Sequence, residues 1–138
     1  LECNIDDTVP ELIGSLAQSL IDKGALDVFT TPIQMKKQRP GTLLTVLCRP
    51  DSKRDLLDLI FRESTTFGVR EHLTKRTVLG RRHVEVETPF GKIRVKIGTW
   101  DGRDITWSPE HDDCARCAAE KKVPVRSVYE AALRMVGA

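Results

Sequence analysis

Two adjacent carboxylates lie where the first predicted strand meets the first predicted helix. Asp6 and Asp7 follow Asn4 and Ile5 there, and carboxylate oxygens are hard ligands suited to Mg²⁺ or Mn²⁺ carried by a nucleotide. Acidic side chains also occur at helix starts as ordinary caps and as partners of the helix dipole. The pair therefore leaves two interpretations open, a metal site and a simple helix N-terminus.

A basic loop forms the second candidate group. Lys36, Lys37 and Arg39 precede the dipeptide Pro40-Gly41, which stiffens and opens the connection. Such a cluster can neutralise phosphate, because arginine offers a planar fork of donors and lysine a compact charge. The alternative is a solvated basic loop without a ligand.

Hydroxyl side chains form the third group, in residues 62–70. Ser64, Thr65 and Thr66 are followed by Gly68 and then Arg70, an arrangement that can present donors to phosphate oxygens. The alternative is an ordinary polar helix end. The connections of the predicted fold divide between two edges of its sheet, which leaves open a site shared between subunits.

Other reactive side chains show no spacing typical of a known site. Cys114 and Cys117 form a CxxC within a predicted helix, without a second pair, so we interpret them as packed side chains. The histidines at 72, 83 and 111 show neither HxxxH nor HExxH spacing, so no zinc or nickel cage can be inferred from them. No phosphate-binding GxxxxGK[ST] loop is present, and no catalytic residue is assigned.

Six predicted elements position these groups in the first half of the chain. A strand over residues 1–5 leads to a helix that begins with a capping box, Thr8 to Glu11, and stops at Gly24. Strands over 26–33 and 42–48 follow, the second apolar enough to be central. A second helix starts at 51 or 52 and buries the side of Leu56 and Phe61, and residues 69–79 read as extended. The order βαββαβ predicts a ferredoxin-like α+β fold.

The second half has a different pattern. Residues 84–87 and 93–97 alternate apolar and charged side chains around a Pro89-Phe90-Gly91 turn, which indicates a hairpin. A third strand over 105–107 follows, then helices starting at Ser108-Pro109 and at Pro124. We therefore predict two domains, 1–79 with the ferredoxin-like fold and 80–138 with three strands and two helices.

Composition excludes several classes of protein. The 138 residues carry a net charge of +2 and seven aromatic side chains, which argues against a nucleic-acid partner. No apolar run reaches the length of a membrane span. Four cysteines without framework spacing indicate a reducing, cytoplasmic setting. The chain starts on Leu1 without a methionine, so we expect a fragment of a longer protein.

The near-zero net charge hides an uneven distribution. Residues 1–35 carry six acids and one base, residues 36–82 carry five acids and twelve bases, and residues 83–138 carry nine of each. An acidic opening followed by a basic middle suits a metal-bound triphosphate, which needs cations at the phosphates and anions at the metal.

In combination, these segments resemble the C-terminal region of the nickel insertion proteins (LarC family), which complete the nickel-pincer nucleotide cofactor of lactate racemase. The resemblance rests on segments in the same order along essentially the whole chain, at residues 4–7, 35–41, 63–68 with Arg70, 109–110, 113–114 and 128–132. Ser64 stands where the family pattern has threonine, and His111 where it has an aromatic residue. Cys117 is peculiar to this sequence.

The resemblance implies a CTP-dependent nickel chelatase, or cyclometallase, of the lyase class. It would insert Ni²⁺ into a pyridinium bis-thiocarboxylate mononucleotide, and this fragment would not be active alone. The resemblance also implies that the region binds CTP with Mn²⁺ or Mg²⁺ and forms a homo-oligomer. Asp6 and Asp7 become candidate metal ligands, and the candidate nucleotide contacts are Lys36, Lys37, Arg39, Thr65, Thr66 and Arg70.

Two other functional classes remain open at this stage. One is a non-catalytic ferredoxin-like module that binds a small molecule between subunits or serves oligomerisation. The other is an RNA-recognition domain of the same topology, which the central strand 42–48 disfavours because it lacks the aromatic side chains that stack on bases.

Overall fold

A computed structural model describes residues 1–137, and the chain divides into two compact units. The first spans Leu1–Thr74 and the second begins at Lys75. The first contains β1 (Glu2–Ile5), α1 (Pro10–Asp22), β2 (Asp27–Gln34), β3 (Pro40–Leu47) and α2 (Lys53–Glu63). The second contains β4 (Gly80–Thr88), β5 (Gly91–Trp100), β6 (Arg103–Pro109), α3 (His111–Lys121) and α4 (Val125–Met135).

These elements confirm the predicted α+β class, with a three-stranded antiparallel sheet in each unit. The predicted division into domains 1–79 and 80–138 stays a prediction, and Ala138 lies outside the described residues.

The first sheet has the order β1-β3-β2, so β3 is central as its apolar sequence predicts. Pro32 lies within β2, opposite Thr42 of β3. A proline is tolerated there because β2 is an edge strand, whose outward N–H positions need no partner.

The predicted strand over 69–79 is wrong in extent. Only Arg70 pairs with β1, through a single antiparallel bridge to Glu2. Residues 70–78 are exposed, so this stretch has no apolar face to hold it against the sheet. A ferredoxin-like fourth strand is therefore reduced to one bridge beside β1.

The first core lies between one face of this sheet and the two helices. Its buried side chains are Cys3, Ile5, Leu16, Leu20, Leu44, Val46, Leu56 and Ile60. The helical members recur four residues apart, as expected for an amphipathic helix. Phe61 is 49% exposed, against the prediction, because its position turns about 100° away from Ile60 around the helix.

The predicted capping box of α1 is also wrong. The helix begins at Pro10, its N-cap is Val9, and no side chain caps it. A capping box needs glutamate at the third helical position, whereas Glu11 occupies the second. Proline at the first position favours this later start, because its fixed backbone angle suits a first turn.

The second sheet has the order β4-β5-β6, and α3 and α4 cover one face. Val84 pairs with Val95 and Val86 with Ile93 on the covered face. Charged pairs such as Glu85 with Arg94 and Glu87 with Lys92 occupy the opposite face, which confirms the predicted hairpin. The expected helix start at Ser108-Pro109 is wrong, because both residues belong to β6 and α3 begins at His111.

Cys114 and Cys117 are buried in the core of this second unit. Cys117 Sγ would lie 3.2 Å from a Cβ added to Gly91, whose φ of 127° also favours glycine. Both cysteines are free thiols, in agreement with their interpretation as packed side chains. None of the helices within residues 1–137 is long and apolar enough to cross a membrane.

Candidate functional site

Asp6 is placed by β1, which ends one residue before it. Its side chain is 16% exposed, and its Oδ2 lies 2.9 Å from Nη2 of Arg39. The contact is an ion pair without hydrogen-bond alignment, since the buried Oδ2 has no hydrogen-bond partner. A buried carboxylate oxygen that accepts no hydrogen bond raises the free energy of the folded state. This oxygen remains available to a ligand.

Asp7 joins the end of β1 to the segment after α2. Its Oδ1 accepts a short hydrogen bond from the Thr65 hydroxyl. The segment is further ordered by hydroxyl contacts, because Ser64 Oγ donates to the Ile60 carbonyl at 2.7 Å and Thr66 Oγ1 donates to the Gly68 carbonyl at 3.0 Å. These bonds turn the chain out of the helix and hold Thr65 beside the carboxylate.

Arg70 completes the same edge of the sheet. Its backbone exchanges two hydrogen bonds with Glu2, of 2.8 and 2.9 Å. Its Nη2 donates to the Asn4 side-chain oxygen at 2.8 Å, and its Nε lies 3.6 Å from a Glu2 carboxylate oxygen. The bridge that replaces the fourth strand therefore aligns residues 64–70 with β1.

The basic loop between β2 and β3 has an unusual backbone. Lys37 and Gln38 have φ values of 60° and 59°, a left-handed region that non-glycine residues rarely occupy. The loop closes with a 2.8 Å hydrogen bond from the Met35 N–H to the Arg39 carbonyl. Strained backbone of this kind is often found where function requires a fixed loop.

Two cations of this loop have no protein partner. Within residues 1–137, neither Lys36 nor Lys37 makes an ion pair or side-chain hydrogen bond, and both are exposed. Arg39, in contrast, is committed to Asp6. The loop therefore offers two uncompensated ammonium groups next to a guanidinium that already contacts a carboxylate.

Cys3 is a neighbour of the site that the sequence analysis did not single out. Its side chain is 1% exposed. Burial raises the pKa of the thiol, and the nearby Thr66 side chain and Arg70 guanidinium oppose this increase only in part. Cys3 is therefore a neutral thiol that supports the site by packing. The alternation of Cys3 and Ile5 on the buried face of β1 was the available sequence signal.

The three sequence segments meet within one chain. Asp6 contacts Arg39 and Asp7 contacts Thr65, so residues from the acidic, basic and hydroxyl groups are in direct contact. A site divided between subunits is not needed to unite them. Within residues 1–137, Lys36 and Lys37 belong to the same loop as Arg39 but make no side-chain hydrogen bond or ion pair with the other candidate residues, and the Thr66 hydroxyl donates to Gly68 in its own loop.

The donor set is small for a resident metal. Within the described part of the chain, no group of three or more histidine, cysteine, aspartate or glutamate side chains could hold an ion. Two carboxylates remain, Asp6 and Asp7. This number suits Mg²⁺ or Mn²⁺ that brings its own phosphate and water ligands, since such ions need only one or two protein carboxylates.

Residues 1–129 match the family model described as nickel insertion protein. The chain is 48% identical over 131 residues to the pyridinium-3,5-bisthiocarboxylic acid mononucleotide nickel insertion protein of Acetivibrio thermocellus, covering 95% of this chain and 32% of that protein. The protein of the same name from Thermotoga petrophila is 40% identical over 136 residues, covering 99% and 34%. The chain thus spans about a third of the length of these curated relatives.

Two solved structures are also similar to the chain. The apo C-terminal domain of a cyclometallase involved in the synthesis of the NPN cofactor of lactate racemase superposes with a TM-score of 0.94 at 44% identity, over 99% of this chain and 94% of that one. A protein from Methanopyrus kandleri matches with a TM-score of 0.67 at 28% identity, over 94% and 80%. The chain therefore belongs to the nickel insertion protein family.

Proposed function

We propose that this chain binds CTP with Mn²⁺ or Mg²⁺ through the cluster described above, as part of a cytoplasmic enzyme that inserts nickel into a mononucleotide cofactor. One observation supports the proposal: a buried Asp6 carboxylate oxygen that accepts no hydrogen bond lies 2.9 Å from the guanidinium of Arg39, in the loop that also carries Lys36 and Lys37. The candidate ligands are Asp6, Asp7, Lys36, Lys37, Arg39, Thr65, Thr66 and Arg70.

The carboxylates would serve the divalent ion. Asp6 has an oxygen without a hydrogen bond, and the exposed Asp7 has only Thr65 as a side-chain partner within residues 1–137. Both are hard oxygen donors of the kind that Mg²⁺ and Mn²⁺ prefer. When bound, the ion would neutralise phosphate charge and orient the triphosphate.

The cations would bind the phosphate oxygens. Lys36 and Lys37 have no ion pair or side-chain hydrogen bond to break among residues 1–137, whereas Arg39 would have to share its guanidinium with Asp6. Arg70 lies beside β1 and adds a charged donor, and the Thr65 hydroxyl would become a neutral donor once a bound ion takes its present acceptor, Asp7. Charge-assisted hydrogen bonds from such groups are stronger than neutral ones.

Phe67 is the candidate contact for the base. Its ring is fully exposed at the tip of the segment that holds Thr65 and Thr66. An exposed aromatic ring next to phosphate-binding groups can stack on a nucleobase, which contributes about 1–3 kcal/mol per base. Stacking tolerates different bases, so preference for cytosine must come from other contacts.

Nickel is the substrate metal of the proposed reaction. Nickel favours nitrogen and sulfur donors, but Cys3 is buried and holds its proton. We therefore expect nickel to be handled by the part of the protein outside this chain. The whole protein would be a CTP-dependent cyclometallase of the lyase class that acts on a pyridinium bis-thiocarboxylate mononucleotide and forms a homo-oligomer, with this chain inactive alone.

Titration calorimetry of the 138-residue chain tests the binding step. CTP in the presence of Mn²⁺ should bind more tightly than ATP, and Lys37→Ala should weaken binding. Lys121→Ala is a matched control, since Lys121 is an exposed residue at the end of α3. Absence of any CTP heat, or an equal loss for both variants, would overturn the proposal.

A further inference from the structure

The second unit contains a polar cleft on the face of its sheet opposite the helices. The cleft measures about 420 Å³ and lies between the sheet and residues 76–79. Three cations and three hydroxyl side chains line it, namely Arg76, Arg81, Lys96, Thr77, Thr106 and Ser108. None of these residues belongs to the cluster proposed for CTP.

Strand register explains how the sheet forms the floor of the cleft. Arg81 of β4 pairs with Gly98 of β5, and Gly98 pairs with Thr106 of β6. A Cβ added to Gly98 would lie 2.8 Å from Leu79 Cδ1 and closer still to the Thr106 hydroxyl oxygen. Glycine at this position thus lets residues 76–79 approach the sheet and keeps the Thr106 hydroxyl accessible.

The charges in the cleft are not balanced. Lys96 Nζ lies 3.5 Å from Glu110 Oε1, which also contacts His83 Nε2 at 3.2 Å. Arg76 and Arg81, in contrast, have no ion pair or side-chain hydrogen bond within residues 1–137. The cleft therefore carries two uncompensated guanidinium charges.

Several other cations on the same sheet have carboxylate partners, although Arg103 of β6 has none within residues 1–137. Arg82 lies 2.6 Å from Asp104, Lys92 lies 2.9 Å from Glu85, and Arg94 lies 2.8 Å from an oxygen of Asp113. Two unpaired guanidinium groups in one concave site contrast with this pattern. Such groups match the charge of a doubly ionised phosphate, and their planar forks match its oxygens.

We propose that this cleft binds the phosphate monoester of a mononucleotide. A phosphate monoester carries about −1.5 to −2 charges at neutral pH, whereas a carboxylate carries only one. The relatives reported above are named for a mononucleotide, which has one such group. The hydroxyl side chains of Thr77, Thr106 and Ser108 supply further donors. The lining residues of the cleft are not among those of the triphosphate cluster, and the choice of a mononucleotide rests on the proposed function.

Amide chemical-shift mapping on the 138-residue chain tests this assignment. Nicotinic acid mononucleotide is the probe, and the corresponding riboside, which lacks the phosphate, is its matched control. The mononucleotide should shift the amides of Gly98 and Thr106, and the riboside should not. Arg76→Gln with Arg81→Gln should weaken binding roughly tenfold or more, the loss expected for removal of a charge-assisted hydrogen bond. Arg103→Gln, at an exposed position outside the cleft, should have no effect.

Two further arms identify the source of the phosphate. CTP with Mn²⁺ should leave the Gly98 and Thr106 signals unshifted, and displacement of the mononucleotide by CTP would overturn the assignment to a monoester. Sulfate should bind more weakly than the mononucleotide, and equal binding would reveal a nonspecific anion patch. Equal binding of the riboside, no shift with the mononucleotide, or an equal effect of Arg103→Gln would also overturn the proposal.

Discussion

Arg39 and Asp6 form an ion pair in which Nη2 lies 2.9 Å from Oδ2. The pair joins the basic loop to the end of β1, and its carboxylate oxygen accepts no aligned hydrogen bond. A ligand that brings both a cation and phosphate oxygens could satisfy the two partners separately, because the cation would bind the Asp6 carboxylate and the phosphate oxygens would accept from the Arg39 guanidinium. This relationship makes the pair the centre of the proposed nucleotide site.

Replacement of Asp6 by asparagine should weaken Mn²⁺-dependent binding of CTP by about tenfold or more, because one carboxylate ligand is lost. Stability should change by no more than about 0.5 kcal/mol, since the Arg39 partner is half exposed and can be solvated. Titration calorimetry and thermal unfolding measure the two effects. Asp27→Asn, at an exposed position on the edge strand β2, should change neither quantity. A large loss of stability in Asp6→Asn without loss of binding would show a structural role instead.

Replacement of Lys37 or Gln38 by glycine separates charge from backbone strain. Both residues have a left-handed backbone, so glycine relieves strain at either position while its greater freedom in the unfolded chain offsets the gain. Stability should therefore stay within about 1 kcal/mol for both variants. Only Lys37→Gly should weaken CTP binding. The difference in affinity between this variant and the original chain should shrink at high salt, because salt screens the attraction between Lys37 and phosphate in the original chain. Equal binding by the two variants would contradict a phosphate contact at Lys37.

Alanine at position 41 should destabilise the first unit. A Cβ added to Gly41 would lie 2.7 Å from Met35 Sδ and 3.1 Å from the Ile5 carbonyl oxygen. The Met35 side chain can move, but the Ile5 carbonyl belongs to β1, so a loss of about 1–3 kcal/mol is expected.

A second glycine provides the control for this variant. Gly14 lies within α1 with nothing within 4 Å of an added Cβ. Gly14→Ala should therefore stabilise the chain by about 0.5–1 kcal/mol. Denaturant unfolding measures the change in the free energy of unfolding of each variant, and the two changes should have opposite signs. Destabilisation by Gly14→Ala would contradict the described helix.

Asp113 should contribute a pH-dependent part of the stability of the second unit. Its carboxylate accepts a side-chain hydrogen bond from Arg94 Nε at 2.8 Å and another from the Arg94 backbone N–H at 3.0 Å. These bonds lower the pKa of Asp113 below its ordinary value of 3.8. A lowered pKa means that the stabilisation is present above that value and is lost as the pH falls through the folded-state pKa.

Replacement of Asp113 by asparagine should therefore lower the melting temperature at pH 7. The stability of the variant should also fall less steeply than that of the original chain as the pH approaches 3. Asp112→Asn is the adjacent control, because Asp112 is exposed and its side chain makes no hydrogen bond or ion pair within residues 1–137. If the stability of Asp113→Asn and of the original chain fell equally steeply as the pH decreased, this contribution would be contradicted.

The fold was largely predictable because its strands and helices carry clear periodicity. The alternation of Val84 and Val86 with acids, and of Ile93 and Val95 with bases, identified the hairpin from local sequence alone. The missing fourth strand was not predictable from type and order of elements. Whether that strand forms depends on whether the residues after Arg70 have an apolar face, and they do not.

The candidate site was predictable in its members but not in its contacts. The meeting of Asp6 with Arg39 depends on the register of β1 against β3, which pairs Ile5 with Thr42. The left-handed backbone at Lys37 has no sequence signal, because lysine has no preference for that region. The bonds between Asp113 and Arg94 arise from packing of α3 against β5, which local sequence does not predict.

The most direct test of the proposed function is a crystal structure of the chain grown with CTP and Mn²⁺, with anomalous diffraction to locate the metal. The account predicts an anomalous peak within coordination distance of the carboxylates of Asp6 and Asp7. It also predicts triphosphate oxygens in contact with Lys36, Lys37 or Arg39. A manganese peak and a nucleotide bound elsewhere on the chain, with the Asp6–Arg39 pair unchanged, would contradict it.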